Sequence, residues 1–313
     1  MADRHVVLGA GRSAGLALVA ELAGRGLPVR AVTRDGRALP GVAGEAAVER
    51  VAADVADPEA ARRACAGAAV VYACAGVPYP QWEEMLPRLV EGALAGAAAA
   101  RARLVFFDNL YMYGPPAGPM TEETPRRPQG PKGHLRARLE EVLLDAHARG
   151  RVPVAIGRAG DLYGPAANSV TGPLVFEPVV EGRTARWPGS LDAPHTLTFV
   201  EDAARGLAQL GIQDMAYGAI WHLPSGPPVT GREFIRAVCA EAATSVRVSV
   251  LRGWMLALAG LVNPMAREMR ELLYQFEAPF VMDSAKFERT FGGRVTPLSE
   301  GIRRTLDWYR ARD

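Results

Sequence analysis

Three glycines close to the start, Gly9, Gly11 and Gly15, stand between the apolar run His5-Val6-Val7-Leu8 and the stretch Leu16-Ala17-Leu18-Val19-Ala20-Glu21-Leu22. An apolar strand, a glycine turn and an Ala/Leu-rich helix are what a βα unit needs to hold a dinucleotide pyrophosphate. Glycines let the backbone approach phosphates, and the helix start presents free N–H groups at a positive dipole end. The spacing is GxGxxxG, which brings Arg12, Ser13 and Ala14 into the same turn. A second strand follows through Gly24-Arg25-Gly26 and ends at Thr33-Arg34. An acidic residue at that end binds the ribose 2′-hydroxyl of NAD, whereas a basic one accommodates a 2′-phosphate. With Arg34 there, and Arg12 and Arg37 able to approach, the expected cofactor is NADP, with NAD second and Asp35 the opposing charge.

Other chemistries find no support. Cys65, Cys74 and Cys239 are odd in number and lack ligand spacing, and no His/Cys/Asp/Glu cluster suits a metal. No serine sits in a nucleophile elbow. Lys and Arg number 36 against 34 Asp and Glu, interspersed along 313 residues, so neither nucleic acid nor a membrane surface is an expected partner. Without a signal peptide before the first strand, a cytoplasmic location is expected. The longest apolar stretch, 254–262, is too short to span a bilayer and reads as a packed helix.

The elements that must position the glycine turn alternate. Strand-like runs at 5–8, 28–33, 48–53, 70–74, 104–107 and 152–156 are separated by helical stretches at 16–25, 58–66, 84–100 and 133–149. Such alternation predicts an α/β fold, a doubly wound parallel Rossmann sheet with ligands at the strands' carboxyl ends. Beyond Gly164 the pattern loosens into Pro-rich loops and a helical tail. The expected division is a dinucleotide-binding domain over 1–165, with 195–222 returning to it. A smaller C-terminal substrate lobe takes 166–194 and 223–313.

Along nearly its whole length the chain resembles the extended short-chain dehydrogenase/reductase family, of the sugar-nucleotide epimerase and dehydratase type. The resemblance rests on the glycine turn, Asp54-Val55, Ala73-Cys74-Ala75-Gly76, Tyr113-Gly114-Pro115, the block Arg158 to Pro165, and Val200-Glu201-Asp202-Ala203-Ala204. It implies that Asp54 reaches the adenine amino group, with Val55 beside it, and that Ala73, Ala75 and Gly76 border the cofactor. It also implies a small-molecule substrate, and a homodimer pairing through helices 84–100 and 133–149.

The chemistry departs from that pattern. Family enzymes carry Ser/Thr four residues before the Tyr-Gly turn, and a Tyr-x-x-x-Lys pair on the next helix. Here the first slot holds Asn109, after Asp108, and the pair reads Lys132 and Arg136. An amide can donate to a carbonyl but cannot titrate, and Arg136 can hold ribose hydroxyls but cannot act as a base. Lys132, Tyr111 or His134 is then the proton donor, with Lys132 effective if burial and neighbouring positive charge lower its pKa. Whether Tyr111 or Tyr113 faces the reaction is open. His195, Arg186 and Trp187 are candidates for substrate contact. Few charges in 166–192 disfavour a diphosphate sugar, although Arg183 and Arg186 allow one. Two functions follow: an NADP-dependent oxidoreductase or epimerase-like enzyme moving hydride to or from a carbonyl, imine or alkene, or a redox sensor that binds dinucleotide without turnover.

Overall fold

The computed structural model describes residues 3–39, 41–42 and 47–312. In chain order β1 (Arg4–Leu8) leads through α1 (Ser13–Gly24) to β2 (Val29–Thr33). Then come β3 (Glu49–Ala52), α2 (Pro58–Ala64), β4 (Ala68–Ala73), α3 (Trp82–Ala100), β5 (Arg103–Asp108), α4 (Gly130–Ala148) and β6 (Val154–Arg158). A seventh strand, Ile220–His222, completes a sheet ordered Ile220–His222, β6, β5, β4, β1, β2, β3, with every neighbouring pair parallel. The order reverses at β1, which pairs with β2 on one side and β4 on the other. That reversal opens a crevice at the strands' carboxyl ends.

Inner strands are short apolar runs because both faces are covered. Alternate side chains divide between two cores, as the period of two requires. Val6, Leu8, Val71, Leu104 and Ile156 pack with Leu86, Val90, Leu139 and Leu143 of α3 and α4. Val7, Tyr72, Val105 and Ala155 face Leu18 and Leu22 of α1 and Leu207 and Leu210 of the helix Val200–Ile212. Tyr72 finds a partner for its hydroxyl in His5 Nδ1 at 2.9 Å.

The strand Leu197–Phe199 pairs with Asp161–Tyr163 outside the main sheet, and only the helix and strand that follow it rejoin the sheet's layers. A separate core of Trp187, Phe176, Phe234, Phe276, Ile302 and Leu306 holds the smaller lobe. The stretch 254–262 differs from expectation. It begins as the helix Gly253–Ala259, but Trp254, Leu258, Leu261 and Val262 are 62%, 61%, 82% and 89% exposed, and only Leu256 is buried. Its apolar residues point outward because the segment sits on the helix Pro264–Leu272 through one side only.

Helices α2 and α3 approach closely through glycine. A Cβ on Gly92 would stand 1.8 Å from the Val55 carbonyl oxygen, and one on Gly96 2.9 Å from that of Ala61. Gly24, at the end of α1, has open space instead. Gly92→Ala is therefore expected to destabilise the fold by about 1–3 kcal/mol through overpacking, whereas Gly24→Ala is neutral or stabilising. Denaturant unfolding of the two variants checks this, and equal effects would refute it.

Candidate active site

The crevice gathers the residues of the glycine turn and of the strand ends. Gly9 has φ +83°, and a Cβ on it would lie 2.4 Å from Ala75 Cα. A Cβ on Gly15 would meet the Gly9 carbonyl oxygen at 2.2 Å. The turn thus folds onto itself and onto the residues after β4. Gly11 is less constrained, its nearest neighbour being Thr33 Cγ2 at 3.4 Å. Arg12 is exposed and extended at the helix's N-cap, and Ser13 adopts φ +51°. Of the N–H groups left open at the start of α1, that of Ser13 donates to the Ala166 carbonyl at 3.1 Å, and Asn168 N–H donates to Ser13 Oγ at 3.3 Å. Ala14 and Gly15 are buried behind the turn.

At the neighbouring strand ends, Asp54 is exposed and its Oδ1 accepts from Ala56 N–H at 2.9 Å, while Val55 is buried. Ala73 closes β4, Ala75 meets Gly9, and Gly76 opens onto free space. A dinucleotide fits this arrangement: a helix start with unpaired N–H groups, small residues after β4, and a carboxylate at the end of β2. That carboxylate is Asp35, which accepts from Thr33 Oγ1 at 3.2 Å and pairs with Arg37 at 2.9 Å. The Arg37 guanidinium holds the Asp35 carboxyl down to about 2. Arg34 is exposed.

A second constellation lies beyond β5. Asp108 is buried and takes Arg136 at 3.0 Å and Arg158 at 3.5 Å. Arg158 also pairs with Glu140 and donates to Tyr113 Oη at 2.7 Å. Arg136 lies over Trp82, 4.4 Å from the ring centroid, so it is fixed on both sides. Asn109 Oδ1 accepts from Tyr111 N–H at 3.1 Å and shapes the turn Tyr111–Tyr113, which leaves the amide's Nδ2 as its donor. This turn separates the two tyrosines. Tyr113 is buried against His222 Nε2 at 2.7 Å, whereas the Tyr111 hydroxyl lies 2.7 Å from that of Tyr79 beside a cavity of about 20 Å³.

Burial above all, and next the adjoining Tyr79, hold the Tyr111 hydroxyl well above the ordinary phenol pKa. Burial likewise pushes Tyr79 up to about 12. Both remain protonated donors at neutral pH.

Lys132 is neither a surface lysine nor flanked by positive charge. It is 4% exposed, and its Nζ pairs with Glu268 and with Glu271 at 2.6 Å, 5.5 Å from the Tyr79 ring centroid. Glu271 also accepts from the Lys132 backbone N–H at 2.8 Å, capping the start of α4 from another helix. In place of the expected neighbouring cation stand two carboxylates. His134 Nδ1 contacts its own helix at the Gly130 carbonyl, 2.8 Å away, and is exposed. Trp187 belongs to the small lobe's core and Arg186 is exposed. His195 is buried, with Nε2 on Asp161 Oδ2 at 2.8 Å and Nδ1 on the Gln275 carbonyl at 3.1 Å.

Tyr79, Asp161, Met269, Leu272 and Gln275 line the cavity with Tyr111. Asp161 lies within the block Arg158 to Pro165, and the other four match no residue pattern. Tyr79 carried a usable signal, since it follows the end of β4 on the ligand edge of the sheet; Gln275 carried none. Among the described residues no group of three His, Cys, Asp or Glu side chains could hold a metal, and no helix is long and apolar enough to cross a membrane.

A parallel sheet whose order reverses at β1, with a glycine turn at that point, defines a Rossmann-type fold. The chain belongs to the NAD dependent epimerase/dehydratase family, whose model matches residues 5–214. Membership places it among NAD-dependent enzymes of that general class. No curated protein matches it. Among solved structures, dTDP-glucose 4,6-dehydratase from Streptomyces venezuelae, with NAD bound, is 22% identical with a TM-score of 0.78 over 98% of this chain and 97% of that one. UDP-glucose 4-epimerase from Bifidobacterium longum, with NAD+ and UDP, is 18% identical with a TM-score of 0.80 over 98% of each chain. The Thermus thermophilus UDP-glucose 4-epimerase, with NAD, is 20% identical with a TM-score of 0.77 over 99% of this chain and all (100%) of that one.

These findings overturn the expectation of NADP. The matching structures hold NAD, and in this chain Asp35 neutralises Arg37 at the position where a 2′-phosphate would need positive charge.

Removing the Lys132 ammonium would leave two carboxylates facing each other without a cation. Lys132→Met is expected to cost about 3–5 kcal/mol of stability, and the triple variant with Glu268→Gln and Glu271→Gln should recover most of it. Equilibrium unfolding reads both; a single variant as stable as the parent would show that the pairing does not anchor the helix Pro264–Leu272.

Proposed function

We propose that this protein is an NAD-dependent oxidoreductase or epimerase-type enzyme acting on a small-molecule carbonyl or alcohol, with the Tyr111–Tyr79 hydroxyl pair in the proton-handling role. The observation that carries the reading is that pair, 2.7 Å apart at the cavity beyond β5, where Lys132 is occupied by Glu268 and Glu271. The reading of a binding protein without turnover rests on the missing Tyr-x-x-x-Lys pair alone, and the two tyrosines supply the missing hydroxyl.

The turn Gly9 to Gly15, Asp35, Asp54, Val55, Ala73, Ala75 and Gly76 are the residues that would hold NAD, with Asp35 accepting from ribose hydroxyls. When bound, NAD supplies the capacity to take and return hydride. The chain's own groups do the rest. Asn109 Nδ2 donates to the substrate oxygen and stabilises the charge that develops there. Tyr111 gives its proton to the developing alkoxide, and Tyr79, hydrogen-bonded to it, passes a proton on in turn. Lys132, held by Glu268 and Glu271 with its Nζ 5.5 Å from the Tyr79 ring centroid, packs beside that pair. Arg136, clamped between Asp108 and Trp82, is held behind the turn that carries Tyr111.

Following the absorbance of NADH with a panel of ketones, aldehydes and nucleotide sugars tests the proposal. Tyr111→Phe should lower kcat by about 10²–10⁴ with little change in KM, and Tyr79→Phe by less; full activity in Tyr111→Phe overturns it. Because both phenols are raised above their ordinary value of about 10, reductive activity should persist as pH rises through 9, where an unperturbed phenol would begin to lose its proton. For the cofactor, calorimetry should find NAD bound more tightly than NADP, and Asp35→Ala should narrow the gap. An unchanged gap would refute the role of Asp35.

A further inference from the structure

Opposite the tyrosine pair, the cavity holds a polar group with nothing to bind. Gln275 is 2% exposed, yet its Nε2 has no hydrogen-bond partner, and the hydroxyl of the adjoining Tyr274 is likewise buried and unpartnered. Two buried donors without acceptors are costly, and native structures rarely leave them so. The residue itself is fixed, because the Gln275 carbonyl accepts from His195 Nδ1, whose ring is stacked on Phe276 at a centroid distance of 4.6 Å. His195 also engages Asp161 through Oδ2, which leaves Asp161 Oδ1, on the cavity wall, without a hydrogen-bond partner among the described residues. An amide donor and a carboxylate acceptor therefore face one space.

The rest of that space is apolar or aromatic: Leu272, Met269 and Phe276 line it, and no Lys or Arg does. Of the cations on the adjoining elements, Lys132 is paired with Glu268 and Glu271 and Arg136 with Asp108. A nucleoside diphosphate, which needs several cationic donors, finds none in the cavity's lining.

The geometry points to a substrate-recognition subsite in which Gln275 Nε2 donates to, and Asp161 Oδ1 accepts from, a hydroxyl group, remote from the reacting carbon, of a neutral substrate with an apolar body. The inference rests on the proposed reading of the same cavity as the reaction site. The cavity is about 20 Å³ as the side chains stand, so a substrate that reaches both Gln275 and Tyr111 must displace a wall residue. The body of the molecule enters where Met269 stands, a side chain whose thioether adapts readily. Tyr274, beside Gln275, supplies a second donor to the same oxygen.

Equilibrium binding to the full-length protein, with and without NAD, is measured by calorimetry for 4-hydroxycyclohexanone, cyclohexanone and uridine diphosphate. The expected result is binding of the hydroxyketone about tenfold tighter than cyclohexanone, with uridine diphosphate weakest. Gln275→Leu should erase that preference and Tyr274→Phe should reduce it, while thermal unfolding verifies that each variant is folded. If Gln275→Leu fails to fold, the Tyr274→Phe result decides. A preference unchanged in both variants, no binding of the hydroxyketone, or tighter binding of uridine diphosphate overturns the inference. Since the readout needs no turnover, the subsite and the Tyr111 mechanism fail separately: an inactive protein that keeps the preference upholds the first and refutes the second.

Discussion

A carboxylate at the buried end of a parallel strand must be neutralised where it stands, and Asp108 imposes that condition on its surroundings. Two guanidinium groups, from Arg136 on α4 and Arg158 on β6, answer it, and Glu140 balances the second of them. The network continues in one hydrogen-bond direction: Arg158 donates to Tyr113, which lies against His222, whose other nitrogen faces the Asp283 carbonyl at 2.9 Å. Burial drives the His222 ring down to about 3, so it is neutral and able to accept from the Tyr113 hydroxyl. β5, α4, β6, the last sheet strand and the chain near 283 are thereby locked together. Asn109 follows Asp108 directly and Tyr111 two residues later, so the placement of Tyr111 at the cavity is a consequence of that lock.

How far sequence reached depends on the range of the interaction concerned. The glycine turn and the alternating strands were legible because each is decided within a few residues, by conformational freedom and by periodicity. The charge at the end of β2 was misread because Asp35 and Arg37, two residues apart, cancel each other instead of leaving Arg34 and Arg37 to act in concert. Lys132 and Arg136 were correctly located on one helix, but their roles are set by partners from elsewhere. Glu268 and Glu271 lie more than 130 residues away from Lys132, at separations of 136 and 139. No local pattern announces such a pairing, and the same holds for Gln275, whose meaning lies in a side-chain Nε2 without a hydrogen-bond partner.

The helix Pro264–Leu272 ties these levels together. Its carboxylates satisfy Lys132 and cap α4, and Met269 and Leu272 close the cavity over Tyr79. The α4 start accommodates it closely, since a Cβ on Gly130, at φ +65°, would lie 2.5 Å from Glu271 Oε1. One short helix of the small lobe thus sets both the electrostatics at the start of α4 and the shape of the cavity beside Tyr111.

The Ala166 carbonyl on the Ser13 N–H has an effect of a different kind. A phosphate oxygen arriving at the start of α1 meets a donor already engaged, so it gains there only the difference between two hydrogen bonds and must send the segment 166–168 elsewhere. That segment runs directly into Val170, a residue of the cavity wall. The start of α1 and the cavity wall are therefore joined by the short stretch from Ala166 to Val170.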